Sequence, residues 1–247
     1  MTFGWPIFVI SLSDATGRRA SISSALAERG LDFTFIDAVD GRRGLSPDAE
    51  AMIDRPGTIR ASGRPMADTE YGCALSHMGV YRRIVDDGLP GALVLEDDAI
   101  LTPLFDEFLA ADGHLAGDLV QLDHLHGDIW RAERPRALTD TLRLARAARN
   151  ASLTTGYTIS RKGARYFLEH GLPLTRPADW PADPVPLDAL LCVPRAVDHP
   201  PFDGTSNIEI ARAKLKAAEQ NGPRALRFLK ASYWRRWWFK RRTKRVS

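Results

Sequence analysis

The chain of 247 residues contains few cysteines and no long apolar run. Its two cysteines, Cys73 and Cys192, are too few for a disulfide framework or a four-cysteine zinc site, and such scarcity is typical of a reducing cytoplasm. No apolar stretch approaches the roughly 18–20 residues that span a bilayer. Residues 1–13 lack a basic segment and contain Pro6, so we expect a β-strand there rather than a signal peptide.

Acidic residues are missing from one part of the chain, between Arg224 and Arg245, where ten Lys and Arg residues lie. The whole chain has 34 basic and 31 acidic residues, so residues 1–223 carry seven more acidic than basic side chains. An acidic body joined to a basic tail predicts that the tail contacts an anionic surface. Because the body offers no extended basic groove, we do not expect a nucleic acid partner.

The pattern of apolar residues predicts an α/β fold. Residues 7–12 and 32–39 have strand patterns, and residues 18–29 between them have a helical one that ends at Gly30. This β-α-β opening favours a mainly parallel sheet with helical crossovers. The pattern continues with a helix at 73–85, strands at 92–98, 119–125 and 152–160, and a helix at 162–170. Three segments are less regular: a predicted long loop at 42–69, an ambiguous stretch at 141–149 and a proline-rich irregular segment at 171–206.

Three consecutive carboxylates, Glu96, Asp97 and Asp98, follow the apolar strand GALVL. In open α/β sheets, ligands bind at the carboxyl ends of the strands, which is where these side chains should lie. Adjacent like charges repel unless a cation neutralises them, and Mg²⁺ or Mn²⁺ prefers such oxygen ligands. A solvated acidic turn explains the triplet equally well. The triplet alone leaves both interpretations open.

An ordered set of short motifs surrounds the triplet. EYGCALSH at residues 70–77 precedes it, and the other motifs are IFVISLSDATGRR at 7–19, Asp40-Gly41, TTGYTISRKGA at 154–164 and ADW at 178–180. Together they resemble glycosyltransferase family 25, whose bacterial members build lipopolysaccharide or lipooligosaccharide. The resemblance covers roughly residues 6–210. Ser11 and Ser13 depart from the Asn and Asp that are usual in the first strand of the family.

The resemblance implies a GT-A-like fold, a Rossmann-related mixed sheet flanked by helices. It implies a catalytic domain at residues 1–210, followed by a helical, basic and aromatic tail at 211–247. The implied reaction is metal-dependent and inverting, and it moves a sugar, galactose being the first candidate, from a UDP-sugar to a glycan of a lipopolysaccharide or glycolipid. Because Ser11 and Ser13 depart from the family pattern, an alternative function stays open: an inactive nucleotide-sugar-binding protein or a membrane-associated scaffold.

The resemblance also implies roles for individual residues. Asp98 and Asp97 are expected to bind Mn²⁺ or Mg²⁺, with His199 as a more distant ligand. Donor contacts are expected from Arg18, Asp97, Glu96, His77, Thr155, Gly156 and Tyr157. The general base is expected to be Asp179, with Asp123 as the second candidate and Asp183 and Asp188 still open, and Trp180 could stack on a sugar.

Several of these residues also have structural interpretations. His77 could be a buried histidine that ties a helix to a loop, and Thr155, Gly156 and Tyr157 could simply pack in a strand. His124 and His126 lie on one side of a strand and could bind a metal together with Asp123. We rank that site below the triplet.

The tail has an amphipathic pattern. Leu226, Leu229, Tyr233 and Trp237 follow helical spacing, with Trp234 and Trp238 beside them and basic residues elsewhere around the helix. Such a helix suits an anionic membrane interface, where tryptophan lies at the headgroup level. A helix docked on its own domain is the second interpretation, and nucleic-acid binding is the third. We therefore expect a cytoplasmic protein that associates peripherally with the inner face of the membrane.

Overall fold

A mixed eight-stranded sheet lies at the centre of the computed structural model, which describes residues 4–187, 189–201 and 231–246. The parallel strands β1 (Ile7–Ser11), β2 (Thr34–Asp37) and β3 (Gly91–Glu96) form one side in the order β2-β1-β3. Next to β3 the order continues as β9 (Gly156–Ser160), β5 (Leu119–Gln121), β10 (Ala189–Val193), β8 (Arg143–Arg146) and β7 (Arg136–Ala137). β9 is antiparallel to both of its neighbours, so the sheet is mixed.

Two small antiparallel sheets flank the central one. The first joins β4 (Ile100–Leu101) to β11 (Val197–Asp198). The second joins β6 (Asp128–Trp130) to β12 (Thr243–Arg245) and so ties the end of the tail to the body.

Helices cover both faces of the central sheet. They are α1 (Thr16–Ala27), α2 (Pro47–Ala51), α3 (Arg55–Ser62), α4 (Asp68–Asp86), α5 (Pro103–Ala110), α6 (Arg161–His170) and α7 (Ala231–Arg242), with a 3₁₀ turn at Gly113–Leu115. Successive residues of a strand face opposite sides of a sheet, and β1 shows this directly. Phe8 and Ile10 pack in the core that includes α4 and α6, whereas Ile7 and Val9 pack in the core that includes α1 and α5. The expected α/β fold with a helix-flanked mixed sheet is confirmed.

The prediction of a long loop at 42–69 is wrong, because α2 and α3 lie within it. Ser46 caps α2 and is followed by Pro47 at the first helical position. Asp54 caps α3 by accepting a hydrogen bond from Gly57 N, and the helix ends at Gly63 in the left-handed conformation. These capping signals stabilise helices too short to show an apolar period.

The prediction of an irregular segment at 171–206 is also wrong, because β10 lies in the central sheet and β11 pairs with β4. A run of buried residues, Ala189–Cys192, forms most of β10 between β5 and β8. The ambiguous stretch at 141–149 contains β8.

The described part of the tail consists of α7 and β12. Leu226, Leu229 and the domain boundary expected at residue 210 lie outside the described residues, as do the side chains of 231–236. Phe239 packs edge-on against Trp130, and Arg131 N donates a hydrogen bond to Arg242 O. Nowhere in the described ranges does a helix have both the length and the apolar character needed to cross a membrane.

Candidate functional site

The carboxylate triplet lies at the edge of the sheet where β1 and β3 end. The register pairs Ile10 of β1 with Glu96 of β3, so Ser11 and Asp97 follow side by side. The Ser11 hydroxyl donates a hydrogen bond to Asp97 Oδ2 over 2.6 Å, and Arg18 Nε on α1 lies 3.3 Å from Asp97 Oδ1. Burial raises the pKa of Asp97 despite these two contacts. The structure thus brings Arg18 and Asp97 together at this edge of the sheet.

A cleft with a volume of about 170 Å³, open to solvent, lies in front of the triplet. Its walls come from the end of β1, Arg18, the segment Ala38–Arg42 that follows β2, and one side of α4 that includes Cys73 and Ser76. The Ser76 hydroxyl accepts a hydrogen bond from Val39 N, which fixes the segment after β2 against α4. Topology therefore places a cleft that includes three carboxylates where ligands bind in open α/β sheets.

Asp98 differs from the two carboxylates before it. Its Oδ1 is buried and has no hydrogen-bond partner among the described residues. Burial, together with the charges of Glu96 and Asp97, raises the pKa of Asp98 to about 7. A buried, unpaired carboxylate oxygen is costly unless a ligand satisfies it. Asp98, with Asp97 beside it, fits a hard divalent cation such as Mn²⁺ or Mg²⁺.

Glu96 is held by neighbouring polar groups. Its Oε1 accepts a hydrogen bond from the Thr154 hydroxyl over 2.7 Å and lies 3.4 Å from His77 Nε2. Burial acts to raise the pKa of Glu96, but His77, Thr154 and Arg18 outweigh burial and lower it. Cys73, His77 and Glu96 also place their ligand atoms within 4.8 Å of one another, close enough to share an ion.

The segment expected to contact the donor sugar, residues 155–157, lies behind the triplet. The Thr155 carbonyl accepts a hydrogen bond from Glu96 N, and a Cβ at Gly156 would lie 2.9 Å from the γ-carbons of Val197. Tyr157 is fully buried, and its hydroxyl contacts His77 Nδ1 over 2.8 Å and Tyr81 over 3.1 Å. Tyr157 therefore contacts His77, which in turn lies beside Glu96. The residues that line the cleft include Glu96 but not His77 or residues 155–157.

A second polar cluster surrounds Asp123, which follows β5. His199 Nδ1 lies 2.9 Å from Asp123 Oδ2, and Arg195 Nη1 lies 3.3 Å from Asp123 Oδ1. Asp198 completes the cluster, because Arg195 Nη2 lies 3.1 Å from its Oδ1. Burial raises the pKa of Asp123 despite His199 and Arg195. Arg195 and Asp198 escape sequence analysis because no motif or spacing links them to Asp123.

The remaining candidates from sequence are Asp179, Trp180 and the histidines near Asp123. Asp179 is half-buried and accepts a hydrogen bond from Leu153 N over 3.2 Å. Trp180 is only 1% exposed and stacks on Phe167, so the expectation that it stacks on a sugar is wrong. The residues whose ligand atoms lie within 4.8 Å of one another around Asp123 are Asp198 and His199, rather than His124 or His126. Asp188 lies outside the described residues.

The mixed sheet and the acidic cleft at its carboxyl edge define an α/β protein with a candidate ligand site at the ends of β1 and β3. Residues 5–185 match glycosyltransferase family 25 (LPS biosynthesis protein), and the chain belongs to this family. It is 30% identical over 181 residues to the lacto-N-neotetraose biosynthesis glycosyltransferase LgtE of Neisseria meningitidis serogroup B, a match that covers 70% of this chain and 62% of that protein.

Two further relatives show the range of the similarity. Procollagen galactosyltransferase 1 of Danio rerio is 30% identical over 171 residues, which is 66% of this chain and 28% of that protein. The lipooligosaccharide biosynthesis protein lic2B of Haemophilus influenzae is 26% identical over 176 residues, covering 68% of this chain and 64% of that protein. The matches thus span less than two thirds of the length of each of these three relatives.

Proposed function

We propose that this protein is a glycosyltransferase that moves a hexose, with galactose as the first candidate, from a UDP-sugar to a glycan of the lipopolysaccharide or lipooligosaccharide type. Family membership supports the reaction class. The names of the relatives, which include a procollagen galactosyltransferase and a lipooligosaccharide biosynthesis protein, support the sugar and the type of acceptor. The observation that carries the proposal is the buried, unpartnered oxygen of Asp98 in the cleft.

In this proposal Asp98 and Asp97 would hold Mn²⁺ or Mg²⁺. When bound, such a cation stabilises the negative charge that develops on a nucleoside diphosphate leaving group. Arg18 already pairs with Asp97 and is half exposed, so its guanidinium can also reach a phosphate in the cleft. Glu96 is fixed by Thr154 and His77 and is therefore suited to accept hydrogen bonds from donor hydroxyl groups.

The proposed reaction is a single displacement in a GT-A-like fold that inverts the anomeric centre. Such a displacement needs a general base on the face of the sugar opposite the leaving group. Asp179 and Asp123 remain the candidates from sequence. Asp123 is fully buried, whereas Asp179 is half-buried.

Thermal-shift titration with UDP-sugars, with and without Mn²⁺, tests the donor site. We expect UDP-galactose to stabilise the wild-type protein only when Mn²⁺ is present, and Asp98→Asn to abolish this effect. Asp32→Asn is the matched control, because Asp32 is an exposed carboxylate that precedes β2 at the opposite edge of the sheet. No stabilisation of the wild type by any UDP-sugar would contradict the proposal.

Release of UDP separates an enzyme from an inactive donor-binding protein. Although Ser11 replaces the asparagine that is usual in the family, its hydroxyl still gives Asp97 a polar partner, which supports an active site. We expect UDP release by the wild type and by Asp32→Asn but not by Asp98→Asn. A wild-type protein that binds the donor but releases no UDP would be the inactive nucleotide-sugar-binding protein instead of an enzyme.

We further propose that the tail contacts an anionic membrane surface. Trp237 and Trp238 are 42% and 47% exposed, and Arg241 and Arg242 lie over their rings at 4.3 and 4.0 Å. Phe239 faces the body instead and packs on Trp130. Among the described side chains of α7, Phe239 docks on the body, whereas aromatic and basic groups face solvent, a combination that suits the headgroup region.

A further inference from the structure

Three side chains of different chemistry meet where α4 passes the end of β3. Cys73 and His77 lie four residues apart on α4, so they share one face of the helix, and Glu96 is the last residue of β3. The sulfur, an imidazole nitrogen and a carboxylate oxygen lie within 4.8 Å of one another. An ion with ligand bonds of about 2.0–2.3 Å can contact all three after small side-chain movements.

A pair of buried tyrosines fixes the orientation of the His77 ring. The Tyr157 hydroxyl donates a hydrogen bond to the Tyr81 hydroxyl over 3.1 Å, so the Tyr157 oxygen accepts the one from His77 Nδ1 over 2.8 Å. A neutral imidazole that donates through Nδ1 has its lone pair on Nε2. Histidines that bind metals are typically held in this way, by a hydrogen bond from the other ring nitrogen.

The second ring nitrogen of His77 lacks a protein partner. The side chain is 0% exposed, and Nε2 has no hydrogen-bond partner in the described part of the chain. Nε2 lies 3.4 Å from Glu96 Oε1, and both atoms carry lone pairs. Such a pair is unfavourable in a buried place unless a proton or a metal cation lies between the two atoms. The cluster therefore calls for a cation.

The ligand types select a different ion from the one proposed for Asp97 and Asp98. Those two residues offer only oxygens, which suit Mn²⁺ or Mg²⁺. A thiolate, an imidazole and a carboxylate together suit Zn²⁺. Cys73 and Glu96 both line the cleft, so an ion can enter the cluster from solvent even though His77 is buried.

We propose that Cys73, His77 and Glu96 form a zinc site beside the carboxylate triplet. Zn²⁺ binds the Cys73 sulfur as the thiolate, and the thiol proton is released to water. His77 contributes Nε2 and Glu96 a carboxylate oxygen, which leaves the fourth tetrahedral position for water. Zinc and a nucleotide-sugar donor then compete for Glu96, a consequence that rests on the proposed function, whereas zinc binding itself does not.

Cobalt is the probe for this site, because Co²⁺ replaces Zn²⁺ in such ligand sets and a cobalt–thiolate bond absorbs in the near ultraviolet. The full chain, kept reduced and free of Mn²⁺, is titrated with Co²⁺. We expect the thiolate band to saturate at one Co²⁺ per chain and to disappear when Zn²⁺ is added. Proton release on addition of Zn²⁺ provides a second signal.

Variants of the three ligands test the assignment. Cys73→Ser should remove the thiolate band, whereas Cys192→Ala, which changes a fully buried cysteine outside the cluster, is the matched control and should retain it. His77→Gln and Glu96→Gln should each weaken Zn²⁺ binding by at least about tenfold, measured by competition with a chelating dye. Circular dichroism verifies folding, and Glu96→Gln decides the test where the buried His77 tolerates no substitution.

The outcomes distinguish this site from its alternatives. A wild type without a thiolate band, or a band that survives in Cys73→Ser, would overturn the zinc site and leave a protonated His77 paired with Glu96. Asp98→Asn should retain the band, and its loss in that variant would assign the ion to the triplet. A wild type that binds Zn²⁺ but no nucleotide sugar would support this site while contradicting the proposed function.

Discussion

At the scale of single residues, Ser11 links β1 to the carboxylate triplet through a hydrogen bond to Asp97. Its hydroxyl and the Asp97 carboxylate are both buried and lie 2.6 Å apart. Because Ser11→Ala removes this hydrogen bond from Asp97 Oδ2, a buried oxygen, we expect it to destabilise the protein by about 1–3 kcal/mol. Ser13→Ala is the matched control, since Ser13 is exposed. Urea unfolding checks the difference, and equal stability of the two variants would contradict the role of Ser11.

The raised pKa of Asp98 makes a prediction about pH. A carboxyl whose pKa is about 7 when folded and ordinary when unfolded favours folding at low pH, and this contribution is lost as pH rises towards 7. Without divalent cations, the stability of the wild type relative to Asp98→Asn should therefore fall between pH 4 and pH 7. The slope should be at most about 1.4 kcal/mol per pH unit. Urea unfolding of both proteins across this range tests it, and parallel pH profiles would argue against it.

The acidic part of the site follows from local sequence, whereas the rest depends on long-range contacts. An apolar strand that ends in carboxylates places Asp97 and Asp98 at the sheet edge, and the first turn of α1 brings Arg18 to them. Trp180 and Tyr157 behave differently, because aromatic residues in a motif can be buried by packing that no short pattern reports. Arg195 likewise meets Asp123 across 72 positions of the chain.

At the scale of elements, two glycines of α4, Gly72 and Gly79, differ in how closely other parts of the chain approach them. A Cβ at Gly72 would lie 2.5 Å from Val39 O, so Gly72 lets α4 approach the segment that lines the cleft. Gly79 on the same helix has nothing within 4 Å of the equivalent position. We expect Gly72→Ala to destabilise by about 1–3 kcal/mol and Gly79→Ala to stabilise by about 0.5–1 kcal/mol. Thermal unfolding distinguishes the two, and a stabilising Gly72→Ala would contradict the close approach.

Elements with strong periodicity are predictable from sequence, and elements fixed by caps or neighbours are harder to predict. β1, α1, β3 and α6 follow their apolar patterns because each buries one regular face or run. α2 and α3 depend on Ser46 and Asp54 caps instead. β10 is a strand because β5 and β8 pair with it on either side, a fact that its proline-rich surroundings conceal.

At the scale of the whole molecule, the basic tail and the acidic body should respond differently to a membrane. We expect binding to vesicles that contain phosphatidylglycerol, with binding weakened by salt. The double variant Trp237→Ala/Trp238→Ala should bind at least about tenfold more weakly, because two interfacial anchors are lost. Vesicle sedimentation measures this effect.

Ile59→Ala is the control for the vesicle experiment, since Ile59 is an exposed apolar residue on α3, outside the tail. Equal binding of the double variant and the wild type would contradict the membrane surface. Preferential binding to DNA or RNA over vesicles would favour the nucleic-acid interpretation of the tail.

The pairing of β6 with β12 has a consequence for biosynthesis. β12 lies more than a hundred positions after β6, so a growing chain presents β6 with one edge unpaired until the tail has been made. The same pairing, together with Phe239 on Trp130, holds the end of α7 against the body, while Trp237 and Trp238 stay exposed. The ribosome must therefore deliver nearly all of the described chain before β12 can pair with the body, so this part of the fold forms late in synthesis.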